Sequence, residues 1–175
     1  MKTLTADARA DHSPLTAPVS PDAFKSLFRS HPGPVAVITA SGDPKPLGFT
    51  ATSVISLSAE PPLLAFSVSA TSSSLEAMRI TENVAVHLLD TDHEVLAQRF
   101  ATSGIDRFAD LDWTALPDGT PLIRDVPSWA WGPVAHRFEV EGSLLTIVRI
   151  DESSTSDRRT PLLYKNRRYC HLDDA

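Results

Sequence analysis

The sequence predicts a mainly β protein, an antiparallel barrel with a few short flanking helices, and three observations carry that expectation. Short runs rich in Val, Ile, Thr, Phe and Trp recur along the chain. Gly, Pro, Asp and Ser clusters separate them. Only a few short segments carry a helical period, too few for an alternating βα sheet.

The elements follow in order. Residues 1–19 are polar and alanine-rich with Pro14 and Pro18, and read as a loose arm; the domain proper spans 20–175. Ser20-Pro21-Asp22 is a helix start, with a hydroxyl cap, a first-turn proline and an acid facing the dipole. Phe24, Leu27 and Phe28 share one face of that helix, and His31-Pro32-Gly33-Pro34 stops it. Strands are expected over 35–39, 47–52 and 54–58, then over 63–68, whose apolar content predicts burial on both faces. Ser73-x-x-Glu76 has the form of a capping box ahead of a helix beginning at Leu75. A strand over 84–89 precedes a helix from Asp92, its expected cap, to Phe100. Residues 101–125 read as irregular. Trp129–Val140 and Leu144–Ile150 form a long hairpin around Gly142, and 162–164 with Tyr169 a last short strand pair.

The 175 residues carry a formal net charge of -6, which argues against nucleic-acid binding, since that function needs a basic face. The short run Lys165-Asn-Arg-Arg168 reads as a solvated turn. Cys170 is the sole cysteine, so neither an intrachain disulfide nor a CxxC metal site can form. With no apolar run of membrane-spanning length and no secretory leader, a cytoplasmic setting is expected, with no membrane association.

The richest stretch for chemistry runs from Pro46 to Ser74. Thr50, Thr52, Ser53, Ser67 and Ser69 fall on or beside strands, and Thr71, Ser72, Ser73 and Ser74 crowd the start of a helix. Neutral donors converging on such a corner suit a phosphate and the polar edge of a heterocycle. The same residue types also cap helices and decorate barrel surfaces. Arg99-Phe100 and Asp106-Arg107-Phe108 each pair a permanent cation with a ring; Arg can fork to phosphate or stack on a ring plane, or simply complement a helix C-terminus. His87, His93 and His136 lack ligand spacing, so no metal site is expected, and His87 within its apolar strand reads as a satisfied core or interface residue. Gly-x-Ser-x-Gly, Gly-x-Gly-x-x-Gly and Walker patterns are all missing, which removes the parts for hydrolase and kinase chemistry.

Gly48-Phe-Thr-Ala-Thr-Ser-Val54, Ser56-Leu-Ser58, Pro61-Pro-Leu-Leu64, Thr71-Ser-Ser-Ser74, Arg99-Phe100 and Asp106-Arg-Phe108 together resemble the flavin reductase-like domain family, an FMN-binding split barrel, over about Phe24 to Tyr169. The resemblance implies an NAD(P)H:flavin oxidoreductase, with FMN (FAD as the alternative) as cofactor and NADH or NADPH as co-substrate. Such an enzyme would supply reduced flavin to a partner monooxygenase. It implies flavin contacts from Thr50, Thr52, Ser53, Ser67, Val68 and Ser69, and a phosphate site at Ser73 and Ser74. Arg99 and Phe100, then Arg107 and Phe108, would close the site. Pro46, Gly48, Phe49 and Ser143 would lie on the nicotinamide side. It also implies a homodimer with flavin near the interface and His87 or Trp131 toward the partner chain. No catalytic acid or base is implied, because the hydride passes between cofactors. The family's reductases usually carry Gly-Asp-His at the start of a late strand; here Val140-Glu-Gly-Ser-Leu-Leu145 stands there, without histidine. A flavin-binding carrier, sensor or accessory module with little reductase activity is therefore the alternative.

Overall fold

The computed structural model describes residues 19–155 and 160–172; the arm expected over 1–19 lies, apart from Val19, outside them. The elements are α1 (Pro21–Arg29), β1 (Gly33–Pro34), β2 (Ala36–Ala40), β3 (Leu47–Ala51), β4 (Ile55–Ala59), β5 (Pro62–Val68), α2 (Leu75–Ile80), β6 (Asn83–Leu88), a 3₁₀ turn (Thr91–His93), α3 (Glu94–Ala101), β7 (Trp113–Ala115), β8 (Pro121–Ile123), β9 (Trp129–Val140), β10 (Ser143–Arg149), β11 (Glu152–Ser154), β12 (Leu163–Lys165) and β13 (Arg168–Cys170).

An antiparallel sheet in the order β3-β2-β6-β9-β10-β5-β4, with β11 added beside β9, curls into a half-barrel. Its two ends, β3 and β4, are neighbours in the chain, so Thr52 to Val54 spans the split. At that seam the Ser53 hydroxyl accepts from the Ser67 amide at 3.0 Å and donates to the Ser67 carbonyl at 3.3 Å, taking the place of a ladder pair.

The alternation of side chains sorts two cores. Ala36, Ile38 and Ala40 of β2 face the barrel interior with Phe49, Phe66, Val84, Val86, Leu144 and Val148. Val35 and Val37 face the opposite way, under a second layer of Leu89, Ala97, Phe100, Ile123 and Leu162. Strand β2 is thus buried on both faces because α3 and β8 cover its outside. Strand β5 shows the burial on both faces that its composition suggests only in part, Ala65 being buried on the face opposite Phe66. Phe66 and Val68 point inward, whereas Ser67 on the other face is exposed.

Local signals account for most boundaries. Ser20 caps α1, its hydroxyl accepting from the Ala23 amide at 3.2 Å. Glu141 and Gly142 sit at φ 47° and 78° between the paired Val140 and Ser143, a two-residue turn that demands two left-handed residues. Three expectations need correction. The capping box at Ser73 does not form: Ser74 is the cap residue, makes no side-chain cap bond, and Glu76 pairs with Arg79 instead. Asp90, not Asp92, caps the 3₁₀ turn that leads into α3, accepting from the Asp92 amide at 3.2 Å. Residues 101–125 are not wholly irregular, since β7 and β8 pair within them.

His87 is the satisfied core residue that its apolar strand suggests. Rather than facing a partner, it is fully buried, its Nδ1 3.2 Å from the Val37 carbonyl and its Nε2 accepting the Ile123 amide at 3.0 Å. Trp131 is half-buried, on the part of β9 flanked by β6 and β11.

Candidate functional site

A cleft of about 480 Å³ opens where the barrel is split. Its floor comes from Phe49, Thr50 and Ala51 at the end of β3; the seam residues Thr52 and Ser53 lie beside them. Ser67, Val68 and Ser69 at the end of β5 form one wall, and the loop Thr71-Ser72-Ser73 rims it. The end of α3 and its following loop supply Phe100, Ala101, Ser103 and Arg107, while Ser143 arrives from the start of β10.

Some of these hydroxyls are committed to the fold. Thr50 Oγ1 donates to the Ala97 carbonyl at 2.6 Å and ties α3 to β3. Ser69 and Thr71 hydroxyls lie 3.1 Å apart, and Ser72 Oγ accepts the Ser74 amide at 3.2 Å. Ser73, by contrast, has neither its amide nor its hydroxyl engaged among the described residues. Thr52 and Ser143 likewise keep their hydroxyls unengaged. The loop therefore shapes itself with Ser69, Thr71 and Ser72 and presents Ser73.

Arg107 is the one charged side chain among the described residues lining the cleft, and no carboxylate faces it. Its Nε donates to the Thr102 carbonyl at 2.8 Å and its Nη1 to the Gly48 carbonyl at 2.6 Å. Burial pushes its pKa down from the ordinary value, yet a guanidinium stays charged at any pH the protein meets. A fixed cation, neutral donors and apolar floor fit a phosphorylated heterocycle; they offer no acid–base pair. We expect Arg107→Met to weaken flavin binding about 30-fold, roughly 2 kcal/mol for a lost charge-assisted contact, by fluorescence titration with FMN.

The residues expected from the sequence divide. Thr50, Thr52, Ser53, Ser67, Val68, Ser69, Ser73, Phe100, Arg107, Phe49 and Ser143 meet in this cleft. Pro46, Gly48 and Phe108 line a smaller neighbouring cleft of about 290 Å³, with Arg107 shared between the two. Ser74 is buried at the start of α2, and Arg99 lines neither cleft. On α3 the inward face carries Ala97 and Phe100, so Arg99 turns away from it. Ala51, Ala101 and Ser103 were not singled out by sequence, and nothing local marks them.

Comparison with known proteins gives the family. The flavin reductase like domain matches residues 28–173. An NADH:FMN oxidoreductase of Rhodococcus erythropolis is 40% identical over 153 residues, covering 83% of this chain and 79% of that protein. The crystal structure of a flavin reductase domain protein from Arthrobacter superposes with a TM-score of 0.83 at 37% identity, covering 88% of this chain and 96% of the other. The NADH:FAD oxidoreductase SgcE6 of Streptomyces globisporus, solved with NAD and FAD fragments, shares the fold at 23% identity, with a TM-score of 0.81 over 91% of this chain and 98% of that one. A cleft of hydroxyls at the split of a half-barrel, one guanidinium in its wall and matches of this extent place the chain in the flavin reductase-like family.

Proposed function

We propose that the protein is an NADH:flavin oxidoreductase that binds FMN in the cleft at the barrel split. The observation that carries this is the donor set: unengaged hydroxyls and one fixed guanidinium around an apolar floor, with no carboxylate. The choice of FMN and NADH draws support from the Rhodococcus relative named for those two molecules. Bound flavin would supply the hydride-accepting chemistry. The protein's own part is positional. Ser73 would receive phosphate through its amide and hydroxyl. Thr52, Ser53, Ser67 and Ser69 would border the ribityl chain and the polar ring edge. Arg107 would place a positive charge where the reduced cofactor gains negative charge. Phe49 and Phe100 would keep water from the apolar side of the bound cofactor. Ser143 offers a hydroxyl near the place where the family usually carries histidine, so the nicotinamide would be oriented without an imidazole. Arg99 and Phe108 stand outside this arrangement.

Two further parts belong to the proposal. The outer face of β4, β5, β9 and β10 exposes Ile55, Leu57, Phe138, Val140 and Leu145 beside Ser67 and Ser143. Such a continuous apolar face next to the cleft supports a homodimer with flavin close to the interface. A monooxygenase partner, taking reduced flavin by diffusion in the cytoplasm, is supported by the relative named as reductase subunit HsaB of a flavin-dependent monooxygenase in Rhodococcus jostii. It is 32% identical and covers 60% of this chain and 54% of that protein. Among the described residues no helix is long and apolar enough to cross a membrane.

The test is NADH oxidation with added FMN, run alongside sedimentation equilibrium. Turnover dependent on FMN and a mass twice the chain's 19.0 kDa are the expected results. FMN binding without NADH turnover would replace the reductase by the flavin carrier or accessory module.

A further inference from the structure

Helix α1 is amphipathic, yet it buries none of its nine residues. Phe24, Leu27 and Phe28 share its apolar face and are 56%, 67% and 56% exposed. A helix this short is marginal in water without a surface to cover that face. Beside it runs a groove of about 410 Å³, with α1 as one wall and the turn joining β12 to β13 as the other. The Asn166 amide donates to the Arg29 carbonyl at 2.7 Å and holds the two walls together. Asn166 and Arg167, at φ 53° and 61°, make a tight two-residue turn that sets Lys165 and Arg167 along the groove.

The groove joins apolar surface to positive charge. Phe24 and Phe28 line it with ring centroids 4.8 Å apart, and the half-buried Tyr164 adds a third ring. Lys25, Arg29, Lys165 and Arg167 line it too, and among the described residues no carboxylate does. Lys25 lies 3.7 Å from Asp22, but Arg29, Lys165 and Arg167 have no ion-pair partner among the described residues. In a chain of net charge -6 this is a local reversal of sign.

We propose that this groove docks an acidic segment of another protein, one whose carboxylates flank an aromatic side chain. The aromatic side chain would seat against Phe24 and Phe28, and the carboxylates would meet Arg29, Lys165 and Arg167. Charge complementarity selects this occupant over the others. A second copy set groove to groove would oppose cations to cations. An anionic bilayer or a nucleic acid would face a chain that is acidic outside this patch, and a flat bilayer cannot follow the rings between two walls. A short extended or helical segment can enter such a groove and leave the rest of its owner outside.

The probe is a fluorescein-labelled random copolymer of glutamate and tyrosine, titrated with the full chain and followed by anisotropy. The double variant Arg29→Gln, Arg167→Asn removes charge without disturbing the walls: Asn tolerates the left-handed backbone at position 167, and the bond joining the walls involves only backbone atoms. We expect the unaltered protein to bind the copolymer and the double variant to bind it about tenfold more weakly. Phe28→Ser, at an exposed position, should also weaken binding, and polyglutamate, which lacks the rings, should bind more weakly than the copolymer. Failure to bind the copolymer, or equal affinity in the unaltered protein and the double variant, overturns the proposal. Attachment to phosphatidylglycerol vesicles without binding of the copolymer overturns it and gives the face to a membrane. A lower sedimentation mass in the double variant, without binding of the copolymer, overturns it and gives the face to a second copy. None of these measurements needs flavin, so the groove and the flavin cleft stand or fall separately.

Discussion

Replacing Gly48 by valine is expected to lower the melting temperature by roughly 10 °C, about 3 kcal/mol, and to weaken FMN binding at least 100-fold. Gly48 lies on the face of β3 that meets α3. A Cβ built there falls onto Phe100 Cε1 and sits 2.8 Å from Phe100 Cδ1 and 3.0 Å from Phe108 Cζ. Neither ring has an easy way out. Phe100 is fully buried in the second core, and Phe108 is held edge-on against it at 5.2 Å and against Trp113 at 5.9 Å. The cheaper relief is for the end of α3 to move away from β3, which carries Ala101, Ser103 and Arg107 out of the cleft and strains the Arg107 bond to the Gly48 carbonyl. Gly48→Ala should give a smaller change in the same two readouts. An unaltered melting temperature in the valine variant would show that the rings step aside. A role for Gly48 on the nicotinamide side would therefore be indirect, since the residue lies beneath the rings that wall the cleft.

The second large effect is on stability against pH. His87 is buried with its Nε2 accepting the Ile123 amide, so its proton sits on Nδ1 toward Val37, and a second proton would displace that amide. Loss of hydration is the main cause that lowers its pKa from 6.5 to about 4, partly offset by the Val37 carbonyl. Above pH 6.5 the imidazole is neutral in folded and unfolded chains alike, and its contribution is complete. Between pH 6.5 and about 4 the unfolded chain binds a proton that the folded one refuses. Stability should therefore fall by about 3 kcal/mol across that window and lose nothing more from this residue below it. The hydrogen bond from Lys45 to Asp106 and that from Arg149 to Asp151 hold both carboxylates below their ordinary value, so any loss from them comes at lower pH. Urea unfolding at a series of pH values measures the slope. His87→Asn should be less stable at pH 7 and lose the slope; an identical slope in that variant assigns the effect to another group.

Where the sequence was legible, the information was local. Ser20-Pro21-Asp22 starts α1, and Glu141-Gly142 turns β9 into β10, because a cap or a left-handed pair is decided within a few residues. The hydroxyls from Ser67 to Ser73 could be read as one corner for a similar reason, being close along the chain. Long-range order hid the rest. Ala101 and Ser103 enter the cleft only because α3 lies across β3. The two Arg-Phe pairs look alike in sequence, yet the rotation of α3 turns Arg99 away while the loop after it brings Arg107 in. Glu76 had a competing partner in Arg79, and that ion pair, invisible to a pattern of four residues, displaced the capping box. His87 sits in an apolar strand, where sequence gives no sign that a carbonyl from β2 and an amide from β8 will meet its two nitrogens.

The seam at Ser53 has a consequence for how the molecule survives among its neighbours. A strand edge left bare would display an amide and a carbonyl at Ser67, ready to pair with any passing extended chain. One hydroxyl answers both groups, so the edge offers nothing to a foreign strand. A backbone partner would have done the same only by continuing the ladder and zipping the mouth shut. A side chain stops the ladder at a single point, and the barrel can stay open for its ligand without becoming a template for aggregation.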